Sequence, residues 1–160
     1  MCSMFLIRKA TNSDIRQIKT LFQETILTIN VGDYTPKQAI CWAMRGDEEN
    51  IWKDRIRDQY FIVAEKEKQI VGFAALKPDG YFNSLFVHKD FQKHGIASLL
   101  LSNIEEQAQK DNIKEITVDV SITAKPFFEQ KGYQVLTKQI VDIGVKMINY
   151  KMAKFLIEKG

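Results

Sequence analysis

The segment Leu85-Phe86-Val87-His88-Lys89-Asp90-Phe91-Gln92-Lys93-His94-Gly95-Ile96-Ala97 decides how the rest of the chain is read. An apolar, strand-like run passes into a glycine-containing turn. Beyond Gly95, the residues Ile96, Leu99, Leu100, Leu101, Ile104 and Ala108 recur with helical period. A strand that turns into a helix in this way aims several backbone N–H groups at one point. Those unpaired donors, reinforced by the positive end of the helix dipole, suit a pyrophosphate. Gly95 and Ala97 are small where a ligand must approach the backbone, and Lys89, Lys93 and His94 add positive charge. The segment lacks the Lys-Ser/Thr of a P-loop and the first glycine of a dinucleotide fingerprint. Its pattern, [Gln/Arg]-x-x-Gly-x-[Gly/Ala], arises by chance roughly 0.1–0.2 times in a chain of this size, so its placement between strand and amphipathic helix carries the weight.

Upstream, Tyr81 to Val87 reads as a strand, and Lys77 to Gly80 as the Pro/Gly turn that sets it antiparallel to its predecessor. Tyr60 to Glu65 and Gln69 to Leu76, joined by Lys66-Glu67-Lys68, form a hairpin. Phe5 to Lys9 is short and mostly apolar. Ile15, Ile18, Leu21, Phe22, Thr25, Ile26 and Ile29 have helical spacing behind a Thr11 or Asn12 cap. A turn at Gly32-Asp33 leads to Thr35-Pro36, which opens a short helix through Met44. After the polar break Arg45 to Asn50, Ile51 to Asp58 offers another turn of helix. Downstream, the helix after Gly95 ends in Gln109 to Asn112. Glu115 to Val120 then returns across a helical crossover as a strand parallel to Tyr81–Val87. Ala124 to Lys131 reads as a short helix closed by Gly132, and Tyr133 to Lys138 with Gly144 to Met152 as a final antiparallel pair.

The 160 residues fit one domain, 1–160, with no repeat or linker. With 45% hydrophobic residues and ten Phe, the chain can bury a sizeable core. Charges nearly cancel, 23 Lys+Arg against 20 Asp+Glu, so neither a nucleic-acid nor a polybasic membrane role has bulk electrostatic support. Apolar runs are too short to cross a bilayer and Met1 to Ala10 has no signal-peptide pattern, which points to the cytoplasm. The two cysteines, Cys2 and Cys41, form no Cys-x-x-Cys pair, and two His cannot supply the usual zinc spacing. Cys41, in Cys-Trp-Ala-Met, has no neighbouring base and reads as a small buried hydrophobe.

The phosphate loop, following a strand that ends in Leu-Phe-Val, resembles that of the GNAT superfamily of acyl-CoA-dependent N-acyltransferases. A second block, Ser121-Ile122-Thr123-Ala124-Lys125-Pro126-Phe127-Phe128-Glu129-Gln130-Lys131-Gly132-Tyr133, is similar to that family's Asn/Ser-x-x-Ala-x-x-Phe-Tyr-Glu-Lys-x-Gly-Phe segment. The order of elements matches from Phe5 to Met152. The run from Tyr34 to Ala43 and the ending Gly144 to Lys154 resemble a bacterial single-domain YafP-type group. The resemblance implies an α/β fold: a mixed, mostly antiparallel, twisted sheet of six or seven strands. Its central parallel pair would splay into a V, with helices on both faces. Acetyl-CoA would be the cosubstrate, with no metal. The pantetheine arm would enter the V along Leu85, Phe86 and Val87, bonded through the main chain of Phe86 and Val87. Gln92, Lys93, His94, Gly95, Ile96 and Ala97 would hold the pyrophosphate, Ser121 would contact pantetheine, and Phe127 and Phe128 would flank the sulfur. Core packing is the alternative for both phenylalanines.

Phe128 departs from the family pattern, since many members carry Tyr there to protonate the departing thiolate. A base is also needed if the amine arrives as ammonium. Strict alternation puts Tyr81, Asn83 and Leu85 on one face of their strand and Phe82, Ser84 and Phe86 on the other. A tyrosine must lose a proton with a pKa of about 10 to act directly, so Tyr81 and Asn83 are expected to hold a water relay. His88 is the second candidate base. Asp119, alternating with Val118 and Val120, points either into the cleft or to solvent. The resemblance places the acceptor pocket at the first two helices, the loop between them and the closing strands, where Tyr34 would present its ring or hydroxyl and Trp42 a second ring; Trp42 and Trp52 both read more readily as core.

The expected activity is N-acetyl transfer from acetyl-CoA to a primary amine, of a small molecule or a peptide, by direct attack in a ternary complex. No Ser-His-Asp or Cys-His set argues for a covalent intermediate. A non-catalytic CoA-sensing module is the alternative, motivated by Phe128 and the missing carboxylate at 81 or 83. A nucleic-acid binder is the third class and has the least support. The chain would act as a monomer or homodimer.

Overall fold

The computed structural model describes residues 5–156; Cys2 lies outside them. In chain order the elements are β1 (Leu6–Lys9), α1 (Ile15–Thr28), α2 (Pro36–Met44), α3 (Glu49–Asp58), β2 (Tyr60–Lys66), β3 (Gln69–Leu76), β4 (Tyr81–Val87), α4 (Ile96–Lys110), β5 (Glu115–Ser121), α5 (Lys125–Gln130), β6 (Gln134–Asp142) and β7 (Lys146–Phe155). The strands form one seven-stranded sheet in the order β1-β2-β3-β4-β5-β7-β6. Every neighbouring pair is antiparallel except β4 and β5, which are parallel.

The sheet separates two cores. Ile18, Leu21, Phe22 and Ile26 of α1, Ala39 and Ala43 of α2 and Trp52 of α3 pack on Phe61, Phe73 and Ala75 of one face. Leu100, Leu101 and Ile104 of α4 and Phe128 of α5 pack with Ala74, Phe82, Val118 and Val120 on the other. Each helix is where its apolar period places it, because an amphipathic helix must bury its apolar stripe. At the start of α2, Thr35 Oγ1 accepts the Gln38 N–H at 3.1 Å while Gln38 Oε1 accepts the Thr35 N–H at 2.9 Å, a reciprocal cap ahead of Pro36. The expected single turn after Ile51 is a full ten-residue helix, α3, and β7 runs three residues past Met152.

Strict alternation fails along β4. Leu76 pairs with Phe82 and Ala75 with Ser84, so Asn83 is an extra residue, a β-bulge, without a partner on β3. Phe82 and Leu85 therefore pack toward α4, whereas Phe86 packs toward α1. The expected grouping of Phe82 with Ser84 and Phe86 is wrong because one inserted residue inverts the facing of everything after it.

Candidate active site

The parallel pair is short. Backbone pairing between β4 and β5 is confined to Tyr81 with Thr117 and Phe82 with Val118. Past these residues the strands part, leaving backbone donors and acceptors of β4 unpaired, which a sheet tolerates only if something else bonds them. His88 N–H donates to Val71 O at 2.8 Å on β3. By the two-residue alternation of an antiparallel ladder, the main chain of Phe86 then also faces β3, and Leu85 and Val87 face the gap. The expectation that the Phe86 main chain serves the cleft is corrected accordingly; its ring lines the cleft instead.

The gap is the middle of a cleft of about 630 Å³ that passes between the two strands and reaches both helical layers. On the α4 side it is lined by Gln92, Lys93, Gly95, Ile96 and Ala97, with Phe127 and Phe128 beside them. Gly95 has φ +80° and caps α4 without any side-chain hydrogen bond, so the first N–H groups of the helix keep no intrahelical partner. A Cβ at Gly95 would meet no atom within 4 Å, so the space in front of the helix is open. Gln92 Nε2 donates to Val87 O at 2.7 Å and to His88 O at 3.3 Å, pinning the loop to the end of β4. At Gly72 a Cβ would lie 2.9 Å from Ile96 Cγ2, so the absence of a side chain there lets α4 settle on the sheet with its N-terminus at the gap.

On the other side, the cleft wall is aromatic. Phe22 meets Trp52 and Phe86 edge-on, with centroids 5.3 and 5.0 Å apart, and Trp42 meets Tyr34 and Phe86 at 5.8 and 6.1 Å. Tyr34 is buried, and its hydroxyl donates to Ile148 O at 2.8 Å while accepting the Ile122 N–H at 2.9 Å. That hydroxyl is a staple between β7 and the end of β5, so only the ring, not the hydroxyl, is left for a ligand. Trp52 is core, its Nε1 donating to Gly46 O at 3.0 Å. Val141, Ile143 and Met147, from the β6–β7 hairpin, close this end.

Asp119 both lines the cleft and is exposed. Its carboxylate accepts from Tyr81 Oη at 2.8 Å and from Gln139 Nε2 at 2.9 Å. Burial, and then the bond to Asp119, push the Tyr81 phenol well above its ordinary range, so Tyr81 serves only as a donor. Asn83 lines the cleft and donates to Gln59 Oε1 at 3.2 Å. Tyr81, His88 and His94 do not line the cleft, and His88 Nδ1 accepts the Asp90 N–H at 3.0 Å. Cys41 is half-buried outside it, and among the described residues no cluster of His, Cys, Asp or Glu could hold a metal.

Residues 30–154 match the acetyltransferase (GNAT) domain, and the chain is 33% identical over 147 residues to the N-acetyltransferase YafP of Escherichia coli K12, covering 91% of this chain and 93% of that one. The chain belongs to the GNAT acetyltransferase family. Its fold is that of the GCN5-related N-acetyltransferase from Rhodopseudomonas palustris, with TM-score 0.92, 29% identity and 98% of both chains covered. PaiA N-acetyltransferase of Thermoplasma acidophilum, solved with coenzyme A, shares the fold at TM-score 0.79 and 20% identity, over 95% of this chain and 99% of that one.

Within this GNAT chain, Leu85, Phe86, Val87, Asn83, Gln92, Lys93, Gly95, Ile96, Ala97, Ser121, Phe127, Phe128, Tyr34 and Trp42 converge on the one cleft although they span most of the sequence. The reading of the sequence missed Arg45 and Arg55, both on the cleft wall. Arg55 was findable: it lies three residues after Trp52 and one before Ile56, a charge set in the apolar stripe of α3. Among the described residues no helix is long and apolar enough to cross a membrane.

Proposed function

We propose that this acetyltransferase moves an acetyl group from acetyl-CoA to a primary amine by direct attack within a ternary complex. The observation that carries the reading is the unpaired gap between β4 and β5, open to the N-terminus of α4 on one face and to an aromatic pocket on the other. The N–H groups at Gly95 to Ala97, with Lys93, suit a pyrophosphate. The main chain of Leu85 and the N–H of Val87, whose carbonyl already accepts from Gln92 and Thr25, suit the amide-bearing arm as a strand would. Ser121, whose Oγ accepts the Ala124 N–H at 3.1 Å, stands where the arm passes, and Phe127 and Phe128 flank the thioester end. The CoA complex of PaiA supports this assignment of the donor.

Acetyl-CoA as donor leaves this chain two tasks. Holding amine and thioester carbonyl in line between the strands removes most of the entropic barrier. Asp119 draws in the ammonium form and takes up its proton through water, with Tyr81 and Gln139 fixing the carboxylate and Asn83 at the bulge holding the water. A single domain over 1–160, acting in the cytoplasm, completes the proposal. The test is twofold: acetyl-CoA should raise the melting temperature where acetate does not, and free CoA thiol should be released across an amine panel. No thermal shift at millimolar acetyl-CoA would remove the donor. A shift without thiol release from any amine would favour the sensor reading that Phe128 motivates.

A further inference from the structure

The acceptor side of the cleft holds a positive charge that acetyl transfer itself does not need. Arg55 lies over the ring of Trp52, its guanidinium carbon 5.4 Å from the centroid, and ends with Nη1 3.5 Å from Ser84 Oγ. It lines the cleft and is half-buried, yet among the described residues no carboxylate lies within 4.0 Å of it. Its helical neighbour Arg57, by contrast, faces outward and pairs with Asp54 and Asp58 at 3.2 and 2.8 Å. Burial lowers the Arg55 pKa, and the nearby charge of Arg45, also on the cleft wall, lowers it further. A desolvated guanidinium without a counter-ion is costly, and its planar fork matches a carboxylate through two parallel hydrogen bonds.

Asp119 lines the same cleft, and Tyr81 is near both charges: its hydroxyl bonds Asp119 at 2.8 Å, and the charge of Arg55 acts on its phenol. The acceptor site thus holds one group that suits an ammonium and another that suits an anion, and the rings of Phe22, Trp42 and Phe86 line the same cleft. We infer that the acceptor is an amine bearing a carboxylate and a large apolar group, of which an aromatic α-amino acid is the simplest, with Arg55 gripping the carboxylate. The inference rests on the acetyl-transfer reading and names the acceptor class for that site.

The probes are L-phenylalanine, L-phenylalaninamide and 2-phenylethylamine, which share the ring and amine and differ in the carboxylate. CoA release with saturating acetyl-CoA, compared per neutral amine, should give L-phenylalanine a kcat/KM higher than the other two by about 10- to 100-fold. Arg55→Gln should erase that preference by raising the KM for L-phenylalanine, and Arg55→Lys should restore part of it. Equal kcat/KM for the three probes would overturn the inference. So would an Arg55→Gln variant that loses the same factor on all three, the result expected if Arg55 only supports Trp52. Should Arg55→Gln fail to fold, the wild-type comparison alone decides. Quenching of tryptophan fluorescence by L-phenylalanine, without acetyl-CoA, reads the carboxylate site apart from turnover. Quenching by L-phenylalanine alone of the three probes, without CoA release, would sink the transfer reading and leave the site standing. CoA release and quenching blind to the carboxylate would do the reverse.

Discussion

In the proposed reaction Phe128 stands beside the leaving thiolate, and its ring is buried against Phe82, Phe127 and Tyr133, with centroids 5.9, 5.4 and 5.2 Å away. It lines the cleft as well, so a hydroxyl added to it has room to point inward. A thiol loses its proton near pH 8.5, so the thiolate is a fair leaving group without an acid. Phe128→Tyr is therefore expected to change kcat by less than about threefold, and a rise near 10²-fold would show that thiolate departure limits the rate and lacks an acid. The base side is read from pH. Asp119→Asn should lower kcat/KM by roughly 10²-fold where the acceptor is mostly ammonium, with the deficit shrinking as pH rises and the free amine accumulates. Tyr81→Phe should show the same shape more weakly, since it removes only a donor to Asp119. Pitched against wild type at saturating acetyl-CoA, parallel profiles for both variants would take proton removal away from this wall of the cleft.

Between β4 and α4 the strand, turn and helix proposed to hold the pyrophosphate were legible because they are local: a strand, a turn with Lys93 and Gly95 at positive φ and an amphipathic helix follow each other within the chain. Gly95→Glu should abolish the acetyl-CoA thermal shift while the domain stays folded. It puts a carboxylate before the N–H groups where the neighbouring space is open, and the positive φ adds strain of about 1 kcal/mol. Full acetyl-CoA affinity in that variant would move the pyrophosphate elsewhere. The bulge at Asn83 was not legible, since it arises from the register of β4 on β3, which no period within β4 encodes. Nor was the Tyr34 staple, whose partners Ile122 and Ile148 lie 88 and 114 residues away. The junction of β1 with α1 gives a different test. Arg8 donates to both Asp14 oxygens at 2.8 and 2.9 Å, and these bonds, opposed by burial, hold the Asp14 carboxyl below its ordinary 3.8. Because the folded pKa is the lower one, this stabilisation is complete above about pH 3.8 and is lost as pH falls through the folded value. Asp14→Asn should cost about 1–2 kcal/mol at pH 7 and flatten the acid limb of a denaturation series. An unchanged acid limb would assign the pair no net stabilisation.

Across the sheet, the proposed reaction gives the two helical layers different ligands, because the cleft joins them through the gap that β4 and β5 leave after a two-residue parallel contact. A thioester held in that gap as proposed would present its carbonyl to the aromatic side while its diphosphate stays at α4, so donor and acceptor would have separate entrances and need not exchange places. Nucleophiles that would support a two-step route are missing from the cleft wall: no Cys or His lines it among the described residues. Of the hydroxyls that do, Thr25 donates to Val87 O at 3.1 Å and Thr123 to Asp33 Oδ2 at 2.8 Å, Ser121 and Ser84 accept from Ala124 N–H and Arg55, and Ser98 sits in the first turn of α4. Initial rates with both substrates varied should therefore give lines that intersect in double-reciprocal form. Parallel lines would indicate an acetylated enzyme. Mass spectrometry of the protein after acetyl-CoA alone should show no added acetyl group at any residue of the cleft. A stable adduct there that transfers to added amine would overturn direct attack while leaving the fold, the donor site and the family assignment in place.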